Sequence, residues 1–202
     1  VEAQELATEK KNEIEAISNQ LSKYLSPQLY NSIFSGEQQV DIASKRKKLT
    51  VFFSDLVGFT SISDSLESEE ITAMLNYYLT EMSVIAFEFG GTIDKYVGDA
   101  IVIFFGDPET SGVKEDARNC VNMAIAMQKK MQELENQWAQ NFGLREPLQM
   151  RIGINTGYCT VGNFGSEDRL DYTVIGGQVN LASRLESIAK PGSILISFDT
   201  HS

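Results

Sequence analysis

Histidine occurs once in the 202 residues, at His201, cysteine only at Cys120 and Cys159, and proline four times. A single histidine one residue from the end excludes histidine-based catalysis and histidine-rich zinc sites. Two isolated cysteines form neither a disulfide framework nor a CxxC metal knuckle and read as free thiols of a reducing compartment. Positive charge is also scarce, with 17 basic against 28 acidic residues and a formal charge of −11. Such a surface disfavours nucleic acid and anionic membranes, and an anionic substrate would need local positive charge or bound cations. No apolar run approaches the ~20 residues that cross a bilayer, and the acidic start VEAQELATEKKNE is no signal peptide. A cytoplasmic protein without nucleic-acid partner or membrane insertion is the expectation.

What is present is a hydrophobic content of 42%, enough for one globular domain with an accessory segment. Ala3, Ala7, Lys10, Ile14, Ile17, Leu21 and Tyr24 alternate at spacings of four and three, which reads either as a heptad seam or as a solitary amphipathic helix. Ser26-Pro27 opens a second short helix closed by Gly36, and a polar connector, SGEQQVDIASKRKK, follows. Residues 1–46 are thus a helical linker, and 47–202 a second domain. Strands and helices alternate there: strand 49–56, helix 69–88, two strands around a Val97-Gly98-Asp99 turn, and helix 115–140. LQMRIGINTGYCTVGNF predicts a strand, a turn near Gly157 and another strand. GGQVNLASRLESIA predicts a helix and SILIS a short strand. The pattern indicates an α/β or α+β sandwich with helices covering a mixed sheet.

Asp55 ends the apolar strand VFFSD, and Asp99 lies in the turn of the following hairpin. Each alone reads equally well as a turn cap. Together, beside glycines that permit close backbone approach, they form a pair of oxygen ligands of the kind Mg²⁺ prefers near a phosphate site. The adjoining LVGFTS offers backbone N–H groups of Gly58, Phe59 and Thr60 at a helix start, where a triphosphate could dock. No GxxxxGK[ST] loop occurs.

FSDLVGFTSISD, GGTIDKYVGDAIVIFFG, RIGINTGYCTVGNFGSEDRLDYTVIGGQVNLASRLE and PGSILIS resemble, in order, the class III nucleotidyl cyclase catalytic domain, of the bacterial and bicarbonate-responsive soluble adenylyl cyclase type. The resemblance covers about residues 47–202 and implies a ferredoxin-like βαββαβ core. It implies two Mg²⁺ or Mn²⁺ ions held by Asp55, Asp99 and the Leu56 carbonyl, and purine recognition by Lys95 and Thr173. Lysine and threonine complement adenine, so ATP is the implied substrate; guanylyl cyclases carry Glu and Cys there. Thr173, where many adenylyl cyclases have aspartate, is associated with bicarbonate stimulation. Asn180 would orient the ribose, Arg184 would stabilise charge on the α-phosphate, and Arg151 would contact phosphate oxygens. An ordinary strand-end arginine reads almost as well for Arg151. Because such sites are shared between chains, a homodimer is implied, with the N-terminal heptads relaying an upstream sensory domain. The family pattern continues beyond Ser202 with a lysine on the triphosphate that has no counterpart here. A guanylyl cyclase, a silent dimerisation module and a diguanylate cyclase or polymerase-palm relative are the rival readings; the last lacks a GGDEF-like turn.

Overall fold

The computed structural model describes residues 2–36 and 42–202. Connector residues 37–41, Val1 and the side chains of Glu2, Ala3 and Glu5 lie outside what it describes. The chain forms two compact units, 1–40 and 41–202.

In the first unit α1 (Glu2–Leu21) runs into a 3-10 turn, and α2 (Pro27–Phe34) follows. Ser26 caps α2 by accepting the Leu29 amide through its side chain, with Pro27 at the first helical position as expected. The seam residues Ile14, Ile17 and Leu21 are 66%, 51% and 56% exposed, so α1 presents an apolar stripe to solvent.

The second unit is built on β1 (Ser44–Leu56), β2 (Thr92–Val97), β3 (Ala100–Phe105), β4 (Met150–Gly165), β5 (Leu170–Ile175) and β6 (Ile194–Ile196). Their order is β2-β3-β1-β4-β5, all antiparallel, with β6 pairing parallel to β4. The order β2-β3-β1-β4 is the split-βαβ arrangement of a ferredoxin-like core, inside a mixed sheet. The helices between are α3 (Phe59–Ser63), α4 (Ser68–Glu88), α5 (Val113–Glu133), α6 (Glu135–Phe142), α7 (Gly177–Ile188) and α8 (Phe198–His201).

Period-2 alternation sorts β1 into two faces. Phe52 and Leu56 join Met74, Tyr78 and Met82 of α4 and Met123 and Met127 of α5 in the larger core. Leu49 and Val51, with Phe53 packed beside them, join Val161, Val174 and Ala182 of α7 in a smaller one. Asp55 continues that second row and therefore ends on the α7 face.

Three expectations are corrected. β1 begins five residues before position 49, because Lys45 and Lys47 reach the buried carboxylate of Asp107 at 2.9 and 2.7 Å. The helix expected over 115–140 breaks at Leu134, a step that lets Leu134 and Trp138 both bury. β4 is one unbroken strand with no turn at Gly157, which pairs with Leu49. Its glycines serve helix packing instead: a Cβ on Gly153 would lie 2.2 Å from the Glu186 nitrogen and 2.3 Å from the Ala182 oxygen, and one on Gly157 would meet Gln178. Bare backbone there lets α7 lie directly on the sheet.

The order places β2 and β5 at opposite ends of the sheet, yet they meet. The Tyr172 hydroxyl donates to Asp107, its ring packs 6.4 Å from that of Phe104, and Thr173 reaches Asp94 on β2. The long β4 curls, as right-handed strand twist allows, and carries β5 back across the face of β3. Among the described residues no helix is long and apolar enough to cross a membrane, and both cysteines are free and buried, burial pushing their thiols up.

Candidate active site

Two neighbouring strands deliver the carboxylate pair. In the β1–β3 register Ser54 faces Ile101, and the same register continued sets position 99 opposite position 56. Gly98, in the left-handed region at φ 62°, closes the tight β2–β3 turn that presents Asp99. Asp99 Oδ2 accepts the Leu56 amide at 2.9 Å, which fixes it to the end of β1 beside Asp55. Burial raises the Asp99 carboxyl to about 7, and hydrogen bonding and charge repulsion from Asp55 add to the rise. Asp55 therefore lies close enough for its charge to oppose ionisation of Asp99.

Arg151 faces Asp55 across the β1–β4 ladder. Its Nη2 lies 3.1 Å from Asp55 Oδ2 and 3.2 Å from Glu186 Oε1 on α7. The second contact is an ion pair without hydrogen-bond alignment, since Glu186 Oε1 and Arg151 Nε are both buried without a hydrogen-bond partner among the described residues. Burial raises the Glu186 carboxyl, with Asp55 adding to the rise and Arg151 opposing it. The guanidinium thus donates to Asp55 and to the Ser187 carbonyl and pairs with Glu186, while its buried Nε has no hydrogen-bond partner among the described residues.

Beyond Leu56 the chain turns at Gly58, left-handed at φ 70°, into the short α3. The amides of Ser61 and Ile62 return to the Gly58 carbonyl, whereas those of Phe59 and Thr60, first in the helix, have no intrahelical partner by geometry. A cleft of about 770 Å³ starts at Val57 and Gly58 and is walled by Ile62, Leu66 and the 143–147 loop. Asp55, Asp99, Lys95, Thr173, Asn180 and Arg184 do not line it.

Lys95 and Thr173 come together through a residue that sequence reasoning passed over. Thr173 donates its hydroxyl to Asp94 at 2.8 Å, and Lys95 Nζ lies 3.9 Å from the other oxygen of that carboxylate. Asn180 and Arg184, one turn apart on α7, are exposed, and neither side chain has a partner among the described residues. Glu186, a candidate partner for Arg184, is taken by Arg151. One chain therefore gathers the carboxylates with Gly58 at one sheet end, joins Lys95 to Thr173 through Asp94, and turns Asn180 and Arg184 outward.

Residues 42–202 match the family described as the adenylate and guanylate cyclase catalytic domain. The chain belongs to that family. An adenylate cyclase of Anabaena cylindrica is 34% identical to this cyclase domain over 176 residues, covering 86% of the chain and 32% of the relative. The chain thus spans about a third of that curated relative's length. Among solved structures, the adenylyl cyclase CyaB from P. aeruginosa is 59% identical with a TM-score of 0.77, over 79% of this chain and 81% of that one. The guanylyl cyclase Cya2 is 43% identical with a TM-score of 0.74, covering 79% of each chain. The fold of this cyclase domain is therefore that of class III nucleotidyl cyclases.

From the sequence Asp94 has no role, Asp107 only that of a turn residue and Glu186 only that of an ion-pair partner for Arg184. Asp94 and Glu186 each sit one or two residues from a motif position, but their meaning depends on partners 79 and 35 residues away in sequence. Asp107 read as a turn residue; buried beneath two lysines and Tyr172 it ties β1, β3 and β5 together.

Proposed function

We propose that this cyclase domain converts ATP to 3′,5′-cyclic AMP and pyrophosphate at two equivalent sites, each completed by a second copy of the chain. The observation that carries this reading is that the Leu56 amide holds Asp99 at the end of β1 immediately beside Asp55, so that two carboxylates share one sheet end. Among the described residues no cluster of three or more His, Cys, Asp or Glu side chains stands ready to hold a metal. A two-carboxylate donor set fits a hard divalent cation that takes its remaining oxygens from substrate and water. Asp55, Asp99 and the Leu56 carbonyl would hold two Mg²⁺ or Mn²⁺, whose chemistry is to activate the ribose 3′-hydroxyl and neutralise the triphosphate.

The chain's own groups supply the rest. Lys95 donates to N1 of adenine, and Thr173 accepts from its 6-amino group. The Gly58, Phe59 and Thr60 amides, with the unspent donors of Arg151, take phosphate oxygens. Asn180 orients the ribose so that the 3′-hydroxyl stands in line with the α-phosphorus, and Arg184 meets the charge that develops there.

The outward, unpartnered Asn180 and Arg184 support a shared site, because a second chain gives them something to face. A symmetric homodimer then contains two such sites. The exposed stripe of α1 suits a clasp between the two chains that relays the state of an upstream sensory domain. Bicarbonate stimulation belongs to the same reading through Thr173, and rates that stay flat on adding bicarbonate at fixed pH contradict it.

Cya2 relatedness makes a guanylyl cyclase the competing reading, which Lys95 and Thr173 disfavour. Incubating the chain with ATP or GTP and Mg²⁺ or Mn²⁺ separates the two. Cyclic AMP from ATP as the dominant product is expected; dominant cyclic GMP from GTP, or no cyclic product from either nucleotide, contradicts the proposal.

A further inference from the structure

Lys95 and Thr173 are the purine readers of the proposed function, and Asp94 stands between them with no role assigned. Its side chain is 3% exposed. One oxygen, Oδ2, accepts the Thr173 hydroxyl at 2.8 Å. The other lies 3.9 Å from Lys95 Nζ and is buried without a hydrogen-bond partner among the described residues. The backbone is shaped for this placement. The β2–β3 register shifts between Ile93 and Lys95, so Asp94 is the extra residue of a β-bulge, a device that re-aims one side chain and recurs beside active sites. Burial raises the Asp94 carboxyl to about 6, partly offset by the Thr173 hydrogen bond, by Lys95 and by a hydrogen bond from the Val174 backbone, with Asp171 adding to the rise. Tyr172 and Asp107 also tie β5 across, so Asp94 is not its sole anchor.

We propose that Asp94 is a positioning residue for substrate choice: by taking the single hydrogen of the Thr173 hydroxyl, it leaves that oxygen able only to accept. The proposal rests on the adenine-reading roles of Lys95 and Thr173 given above. A hydroxyl has one hydrogen and two lone pairs, and an ionised carboxylate only accepts. A threonine free to turn donates or accepts as its neighbour requires, and so reads adenine and guanine alike. Committed to Asp94, it turns lone pairs toward the purine. The 6-amino group of adenine donates to them, whereas O6 of guanine opposes acceptor to acceptor and leaves both unpaired. A site that leaves the wrong substrate's polar groups unpaired discriminates by orders of magnitude more than one that merely fits it loosely. The same carboxylate steadies the Lys95 ammonium, a donor that matches N1 of adenine and clashes with the N1–H of guanine.

The test compares kcat/KM for ATP and for GTP in the full chain and in Asp94→Asn, Thr173→Val and the double variant, with thermal midpoints recorded for each. Asparagine keeps the shape but offers a donor as well as an acceptor, so the threonine hydroxyl is no longer committed. Both single variants are expected to lower the ATP:GTP ratio by about tenfold, the worth of one hydrogen bond. The double variant is expected to fall no further than Thr173→Val alone, because Asp94 acts through that hydroxyl. Both nucleotides are turned over by the same preparation, so a reduced folded fraction cancels from the ratio; if Asp94→Asn yields no folded protein, Asp94→Ser takes its place. A wild-type ratio in the Asp94 variant alongside a lowered ratio in Thr173→Val overturns this proposal and leaves the purine-reading assignment standing. Multiplying losses in the double variant also overturn it. A wild-type ratio in Thr173→Val overturns the purine-reading assignment itself and this proposal with it.

Discussion

Arg184 stands exposed on α7 without an ion-pair partner among the described residues, so truncating it breaks no hydrogen bond or ion pair among them. Its proposed work lies wholly in the transition state, where a positioned donor contributes several kcal/mol of barrier lowering. Arg184→Ala is therefore expected to lose about 10²-fold or more in kcat with little change in KM and an unshifted melting temperature. Near-full turnover contradicts the role, and a fall in melting temperature contradicts the structural premise. Asp94 behaves in the opposite way. Its carboxyl is raised from 3.8 to about 6, so the fold favours its protonated form. The stability this contributes is fully present below pH 3.8 and is lost as pH rises through about 6, amounting to about 3 kcal/mol. Asp94→Asn has no such proton, so its stability relative to the parent should climb between those limits in urea titrations; a difference that ignores pH contradicts the burial argument. At this scale the sequence offers candidates where residues fall in contiguous motifs, as for Asp55, Asp99, Asn180 and Arg184. It is opaque for Asp94 and Glu186, whose contacts come from a bulge and from a helix laid over a strand.

Among the elements, α7 depends most on what lies beneath it. It carries Asn180 and Arg184 on its outer side and Glu186 against Arg151 on its inner side, and its height above the sheet is set by Gly153. Gly153→Ala would place a Cβ 2.2 Å from backbone nitrogen, a clash that no rotamer change relieves. The variant should lose about 1–3 kcal/mol of stability and, because α7 shifts as a unit, a disproportionate share of turnover. Unaltered urea midpoint and rate would show that α7 tolerates the added methyl group. Gly157→Ala meets only the side chain of Gln178, at 2.7 Å, and should cost less. The glycines in RIGINTG explain why the strand was misread as a hairpin. A glycine signals a turn through its conformational freedom and a close approach through its missing side chain, and sequence alone does not distinguish the two. The capped α2, α4 with its 3.6-residue periodicity, and the β2–β3 turn were readable because their signals are local.

At the scale of the whole molecule, the curl of β4 that brings β5 over β3 and joins Thr173 to Asp94 was invisible to strand-by-strand reading. The meeting of the two edge strands is a property of the closed sheet and of neither strand alone. The proposed sharing of each site between two copies is the larger consequence. If each site takes its carboxylates from one copy and its Asn180 and Arg184 from another, specific activity should fall on dilution as the dimer dissociates; rate strictly proportional to enzyme down to nanomolar concentration contradicts this. Mixing two inactive variants tests the arrangement without reference to affinity. Asp99→Ala and Arg184→Ala homodimers each lack a working site. In a mixed dimer, one site receives both lesions and the other receives neither. Random exchange makes half of the dimers mixed, so cyclic AMP production should recover to about a quarter of the unmodified level. A mixture that stays as inactive as its two parents, under conditions where subunit exchange is demonstrated, would contradict the shared site.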